Sequence, residues 1–301
     1  MSRYLVALIW PAGMAVIFGV AFLAWRRNVA MPANGTGHYA NHSAGHPGPQ
    51  AGRHHSRRAG ARSAFPDAAA GSGQFLVLAV VGAAVAFGLM ALLGLVVVYH
   101  GLAVDRPVFN WLSGHQVHVA AAAMKRLTKI GDTWTAWAAA LAAAACLAVT
   151  WRDKRWLPPV ALVSLIVVDH YTTLALRHVF HRLGPPTSPL GTYPSGGCDR
   201  CIVFYGLIAY LLWREFSGRR ATAIWATAIV AALGFNEAYS RVYLSLHWLT
   251  DAVSGLIYGG LLLLGFIVAV RMVAGREAPS GAGQPVSPMP VGLSPTEGSV
   301  T

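Results

Sequence analysis

Apolar residues along this chain come in long unbroken runs, not in the alternation of a strand or the single stripe of a soluble helix. Seven runs approach the roughly 20 residues that a helix needs to cross a hydrocarbon core: 4 to 25, 75 to 99, 133 to 151, 157 to 176, 202 to 213, 221 to 239 and 252 to 270. The run at 202 to 213 is short, but it lengthens when carried back through Cys198, and Trp213 suits a membrane interface. The pattern predicts an all-α fold, a polytopic membrane helix bundle. It divides the chain into an N-terminal transmembrane anchor (1–25), a disordered linker rich in His, Gly, Pro and Arg (26–74), a membrane helical domain (75–276) and a disordered C-terminal tail (277–301).

Composition strengthens this reading, with 55% hydrophobic and only 11% charged residues, against about 25% charged in an average soluble domain. The first run is followed by Arg26 and Arg27, whereas a cleaved signal peptide carries its charge ahead of the apolar region, so the run is expected to stay as an anchor. A net charge of +12 brings nucleic acid to mind, yet no basic face with interleaved aromatics accompanies it. The arginines instead flank the apolar runs, as topogenic charge beside anionic lipid, so membrane lipids are expected partners and nucleic acid is not. The linker, "RDKRW", "REFSGRR" and the end of the last span fall on one side if the spans alternate. The positive-inside rule makes that side the cytoplasm. It puts the N-terminus and the loops at 100–132, 177–200 and 240–251 outside, in a multi-pass protein of the plasma membrane. No metal or cofactor is expected: the linker histidines lack fixed geometry, and Cys198-x-x-Cys201 has no two further ligands for zinc. Together with Cys146 these cysteines are too few for a disulfide framework.

The chemistry lies in "SRVYLSLHWLTD", residues 240 to 251. His247 and Asp251 are four apart, so on a helix they share a face. The carboxylate can then accept from one ring nitrogen and leave the other as a nucleophile, while Arg241 offers a planar fork to phosphoryl oxygens. Upstream, "LRHVFHRLGPP" brings Arg177 and Arg182 to the same face, and "YPSGGCDRC" supplies Ser195, Gly196 and Gly197 as an anion-binding nest. Asp169 and Thr173 precede Arg177 at steps of four, so Asp169 could steady that arginine, and Glu237 could do the same for Arg241. The piece 109–132, with Trp111, Lys125, Arg126 and Lys129, suits a helix lying at the interface beside the lipid's access route.

These motifs resemble those of the type 2 phosphatidate phosphatase superfamily, membrane lipid phosphatases related to bacterial acid phosphatases and vanadium haloperoxidases. The family pattern is K-x6-R-P, P-S-G-H and S-R-x5-H-x3-D, and the third motif is complete here as Ser240, Arg241, His247 and Asp251. The resemblance spans roughly 75 to 271 and implies a six-helix phosphatase core, with the first span an extra N-terminal helix. It implies that His247 attacks phosphorus and becomes a phosphohistidine, that Asp251 orients it, and that Arg177 and Arg241 hold the phosphate beside the nest. The chain departs from the pattern at three places. Arg177 replaces the lysine, Gly184 the arginine before proline, and Gly197 the histidine that acts as general acid. Three accounts fit these departures. Asp199 could serve as acid, with Arg182 or Arg200 as phosphate ligand. The leaving group could be a phosphate with a pKa of about 6, as from a polyprenyl diphosphate, instead of an alkoxide whose acid has a pKa near that of water, about 16. Or the protein only binds a phosphorylated lipid. The expected activity is hydrolysis of a lipid phosphate or polyprenyl diphosphate, with transfer of the phosphoryl group to another acceptor as a variant.

Overall fold

A computed structural model describes residues 13–24, 64–151, 154–186 and 192–275. Most of the basic linker and the C-terminal tail, both expected to be disordered, lie outside the described residues. Helix α1 covers Gly13–Ala24. The helical domain then runs α2 (Ala64–His100), α3 (Leu102–Ser113), α4 (His118–Leu127), a 3-10 turn at Thr128–Gly131, α5 (Thr133–Thr150), α6 (Leu157–Phe180), α7 (Gly196–Phe216), α8 (Arg220–Tyr243) and α9 (Leu249–Ala274). No strand occurs among the described residues.

Five of these helices, α2, α5, α6, α8 and α9, are long and apolar enough to cross a membrane. The fifth predicted span, short in sequence, becomes the 21-residue helix α7, about 30 Å at 1.5 Å per residue. Its charged residues gather at the ends: Asp199 and Arg200 at one, Arg214 and Glu215 at the other. Two boundaries differ from expectation. Helix α2 starts at Ala64, not near 75, because the Ala- and Gly-rich approach to the apolar run continues the helix. The expected interfacial helix at 109–132 is divided: Gly114 ends α3, and extended Val117 starts α4 in a new direction.

The outward faces are apolar. Val77, Val80, Val81, Leu92 and Val96 of α2 are exposed, as expected of a surface that meets lipid instead of water. Phe75, Met90, Leu147, Leu165, Phe204 and Phe266 form the bundle core. Because lipid gives no hydrophobic incentive for helices to associate, close packing must come from small residues. Helices α2 and α9 cross at Gly82 and Gly265, where a Cβ added at Gly82 would lie 3.1 Å from the Gly265 Cα. Gly259 does the same for α9 against α7, since a Cβ there would be 2.9 Å from the Asp199 Cα. This second contact seats the N-terminal turn of α7 on α9.

One buried polar cluster ties the outer ends together. Arg182, beyond the end of α6, donates to Asp105 of α3 at 2.5 Å and also to Asp251 of α9. Asp105 in turn accepts from the Thr250 amide at 2.9 Å and the Thr250 hydroxyl at 2.6 Å. Arg182 was expected to hold phosphate. Both of its terminal nitrogens are instead taken by carboxylates that would otherwise be buried without a counter-charge.

The glycine crossing makes a direct prediction. Gly82→Ile forces α2 and α9 apart and is expected to cost about 1–3 kcal/mol. Gly88→Ile, where nothing lies within 4 Å of an added Cβ, should leave thermal unfolding in detergent unchanged.

Candidate active site

The site forms around the first turn of α7. Ser195 has the extended backbone of an N-cap, and its carbonyl accepts from the amides of Cys198 and Asp199, both at 3.2 Å. Its own amide donates to the carbonyl of Asp251 at 3.1 Å, which fixes the helix start on α9. The amides of Gly196 and Gly197, at the first two helical positions, have no acceptor within the helix. They mark the positive end of the helix dipole, a setting suited to an anion.

Three arginines surround that turn. A Cβ at Gly196 would lie 2.6 Å from Arg200 Nη2 and 2.8 Å from Arg177 Nη2. One at Gly197 would lie 2.8 Å from Arg241 Nη2 and 2.9 Å from its Nε. The two glycines are therefore what allows the guanidinium groups to approach the backbone. Arg241 is braced from both sides: its Nε donates to Glu237 at 2.6 Å and its Nη2 to Asp132 at 2.9 Å. Asp132 is 51% exposed and Glu237 fully buried, so Glu237 is the firmer brace. Arg200 donates to the Gly131 carbonyl at 3.0 Å, and its Nε lies 3.5 Å from Asp169. The expected partner of Asp169 was Arg177, but it is Arg200 that the carboxylate meets. Arg177 keeps a buried Nε with no hydrogen-bond partner among the described residues.

His247 lies in the turn between α8 and α9, held by its amide on the Arg241 carbonyl at 3.4 Å. Burial first, then the charges of Arg241 and Arg177, push its imidazole down from 6.5 to about 3, against a smaller opposing effect of the Thr192 backbone. A half-buried, neutral imidazole beside three cations has its lone pair available at any physiological pH.

The geometry corrects one expectation. His247 and Asp251 do not share a helix face, because Trp248 is an extended N-cap and α9 begins only at Leu249. Asp251 gives one oxygen to Arg182. Its Oδ2 and the Nδ1 of His247 are both buried, and neither is hydrogen-bonded among the described residues. Ser195 is buried at the N-cap. Asp199 is buried on the α6 side, where its Oδ2 accepts from Thr173 at 3.2 Å. Cys198 and Cys201 are buried free thiols. Sequence reasoning missed Asp105, Thr128, Gly131 and Asp132. The adjacent Gly131-Asp132 at the threshold of an apolar run was the available signal.

No family model matches the chain, and no curated protein does. Among solved structures, the first transmembrane PAP2-type phosphatidylglycerolphosphate phosphatase from Bacillus subtilis aligns with a TM-score of 0.56. The identity is 17%, over 66% of this chain and 98% of that one. The chain has the fold of a PAP2-type membrane phosphatase.

Within this PAP2-type fold, the glycine at 197 has a physical cause. A Cβ there would stand 2.5 Å from Glu237 Oε1, and one at Gly131 would stand 2.5 Å from the same oxygen. Glu237 thus occupies a slot between two glycines, where its Oε1 also accepts from Thr128 at 3.0 Å. A side chain at 197 requires the ends of Glu237 and Arg241 to move. Gly197→Ala is therefore expected to cost about 1–3 kcal/mol in the wild type. In a Glu237→Ala background it should cost clearly less, a coupling that a double-mutant cycle of thermal unfolding would measure.

His247 also links stability to pH. The folded protein resists protonating an imidazole that the unfolded chain protonates near 6.5. Its contribution is therefore complete above about pH 6.5 and is lost as pH falls toward about 3. The loss of thermal stability between pH 6.5 and 4 should be smaller in His247→Ala than in the wild type.

Proposed function

We propose that this protein is a membrane phosphatase that removes phosphate from a phosphorylated lipid through His247. The observation that carries the reading is the convergence of Arg177, Arg200 and Arg241 on two free helix-start amides, beside an imidazole held neutral. The arginines and amides bind the phosphoryl oxygens and stabilise the charge that accumulates on them in the transition state. A ring nitrogen of His247 donates its electron pair to phosphorus, and the bond from phosphorus to the leaving oxygen breaks. Water then attacks the phosphohistidine, the P–N bond breaks, and inorganic phosphate leaves. Asp251 orients the ring when its free Oδ2 accepts from the Nδ1–H of His247, the two unpartnered atoms complementing one another.

The leaving oxygen of an ester needs a proton. Asp199 and Glu237 flank the helix start on opposite sides. Glu237 lies where a side chain at 197 would project, and its Oε2 is buried with no partner among the described residues. With Oε1 still accepting from Arg241 and Thr128, Oε2 can give a proton to the leaving oxygen and take one from the attacking water during hydrolysis. Asp199 likewise keeps one buried oxygen, Oδ1, without a partner among the described residues, so the choice of Glu237 rests on its place beside residue 197. The positive-inside pattern supports an extracytoplasmic site. The arginine-rich turns between α5 and α6 and between α7 and α8 lie at the opposite ends of the helices from His247.

The reading is tested by phosphate release from lipid monophosphates and from a polyprenyl diphosphate by purified protein in detergent. His247→Ala should lower turnover at least ~10³-fold, and wild type quenched under alkali should retain a phosphate on His247. Glu237→Gln should lower kcat/KM about 10²-fold on monophosphates and far less on the diphosphate. Binding of these lipids without release by either wild type or His247→Ala would leave a lipid-phosphate binding protein.

A further inference from the structure

At the end of the bundle opposite His247, α7 and α8 enclose a cleft in which the phosphate chemistry has no part. It holds about 490 Å³ and is lined along one face of each helix, from Tyr205 to Phe216 on α7 and from Thr222 to Leu233 on α8. A smaller hollow of about 200 Å³ continues it toward Leu263 and Ile267 of α9. The two spaces share Ala209 and Ala226, whose short side chains leave unfilled the room that larger ones on facing helices would take. Leu212, Phe216 and Ile229 on the rim are exposed, so the cleft opens to the hydrocarbon around the bundle.

Its dimensions select the occupant. Each lining face runs about 16 Å at 1.5 Å per residue, the depth of one leaflet in a hydrocarbon core about 30 Å thick. A volume of about 490 Å³ over that length leaves a cross-section of about 30 Å². A helix about 10 Å across would need about 80 Å² and does not fit. An extended hydrocarbon chain, whose carbons sit about 4 Å from their neighbours, does. Water has no polar partners along these apolar walls.

The mouth of the cleft has a different chemistry. Ser217 and Thr222 line it, with the Ser217 hydroxyl donating to Thr222 at 2.8 Å. Trp213 is fixed there by its indole N–H, which donates to the Arg219 carbonyl at 2.9 Å. Arg219 and Arg220 follow in the same turn, both exposed, and neither makes an ion pair among the described residues. Two free cations at the head of an apolar channel one leaflet deep complement a negatively charged head group joined to a hydrocarbon tail.

We infer that the cleft between α7 and α8 binds an anionic phospholipid of the leaflet opposite His247. One acyl chain lies along Ala209 and Ala226, and the phosphodiester meets Arg219 and Arg220. The lipid is a bound component of the bundle and is not turned over, so the inference does not depend on the phosphatase reading.

Native mass spectrometry of the full-length protein in detergent, mixed with dioleoylphosphatidylglycerol or with dioleoylphosphatidylcholine, counts the lipid that each retains. The wild type should hold one phosphatidylglycerol about tenfold more tightly than phosphatidylcholine, two surface cations each contributing a few-fold. Arg219→Gln combined with Arg220→Gln should bring that ratio close to one, and because both residues are exposed, thermal unfolding without lipid should not change. Ala226→Phe, which fills the cleft, should lower retention of both lipids several-fold, and the arginine pair decides alone if that variant does not fold. Equal retention of the two lipids by the wild type, or a preference that survives loss of both arginines, overturns the inference and leaves a cleft filled by ordinary boundary lipid. Retention that a folded Ala226→Phe leaves unchanged overturns it as well. So does phosphatidylglycerol that saturating inorganic phosphate displaces, which would belong to the site around His247, or a dimer that Ala226→Phe dissociates, which would make a second copy of this chain the occupant.

Discussion

Three guanidinium groups meet at one end of one helix, and the rest of the site follows from holding them there. Arg177, Arg200 and Arg241 approach the α7 backbone only because residues 196 and 197 have no side chains. Like charges at this separation repel, and burial raises the cost. Each cation is therefore offset incompletely. Arg241 is braced by Glu237 and Asp132, Arg200 by Asp169 and a carbonyl, while Arg177 keeps an unpartnered Nε. Burial first, and then the charges of Arg241 and Arg177, hold the imidazole of His247 neutral beside them.

The absence of a side chain at 197 and the presence of Glu237 are one structural fact. The carboxylate fills a slot whose walls are Gly131 and Gly197, and it braces the arginine that follows it by one helical turn. The carboxylate end of Glu237, on α8, fills the space into which a side chain at 197 would project. The same packing bears on the 3-10 turn before α5, which ends in Gly131: a Cβ there would stand 2.5 Å from Glu237 Oε1 and 2.6 Å from the Gly197 carbonyl oxygen.

The setting is a bundle whose outward faces are apolar and whose buried polar groups gather toward one end. Arg182 joins α3, the segment after α6 and the start of α9 through two buried carboxylates, so the end of the bundle that carries His247 is tied from three directions. Polar atoms deeper in the bundle are expensive in a membrane. Asp169, 1% exposed, is offset there by Arg200.

Sequence alone determined the membrane-spanning helices, because runs of some twenty apolar residues have few other fates, and it picked out Arg177, Arg200, Arg241, the two glycines and His247, because such groups between apolar runs need a reason. It also paired Glu237 with Arg241 correctly, since that contact is one turn along a helix. Other relations depended on contacts between segments far apart in the chain, which no local period encodes. Spacing suggested that His247 and Asp251 would share a helix face, yet a helix start falls between them, and Arg182 claimed one oxygen of the carboxylate from 69 residues away. Only the packed structure showed that Asp132 braces Arg241 across 109 residues and that Gly131 and Gly197 form one slot. Helices are specified by neighbours along the chain, whereas a site is specified by which helix ends the packing brings together.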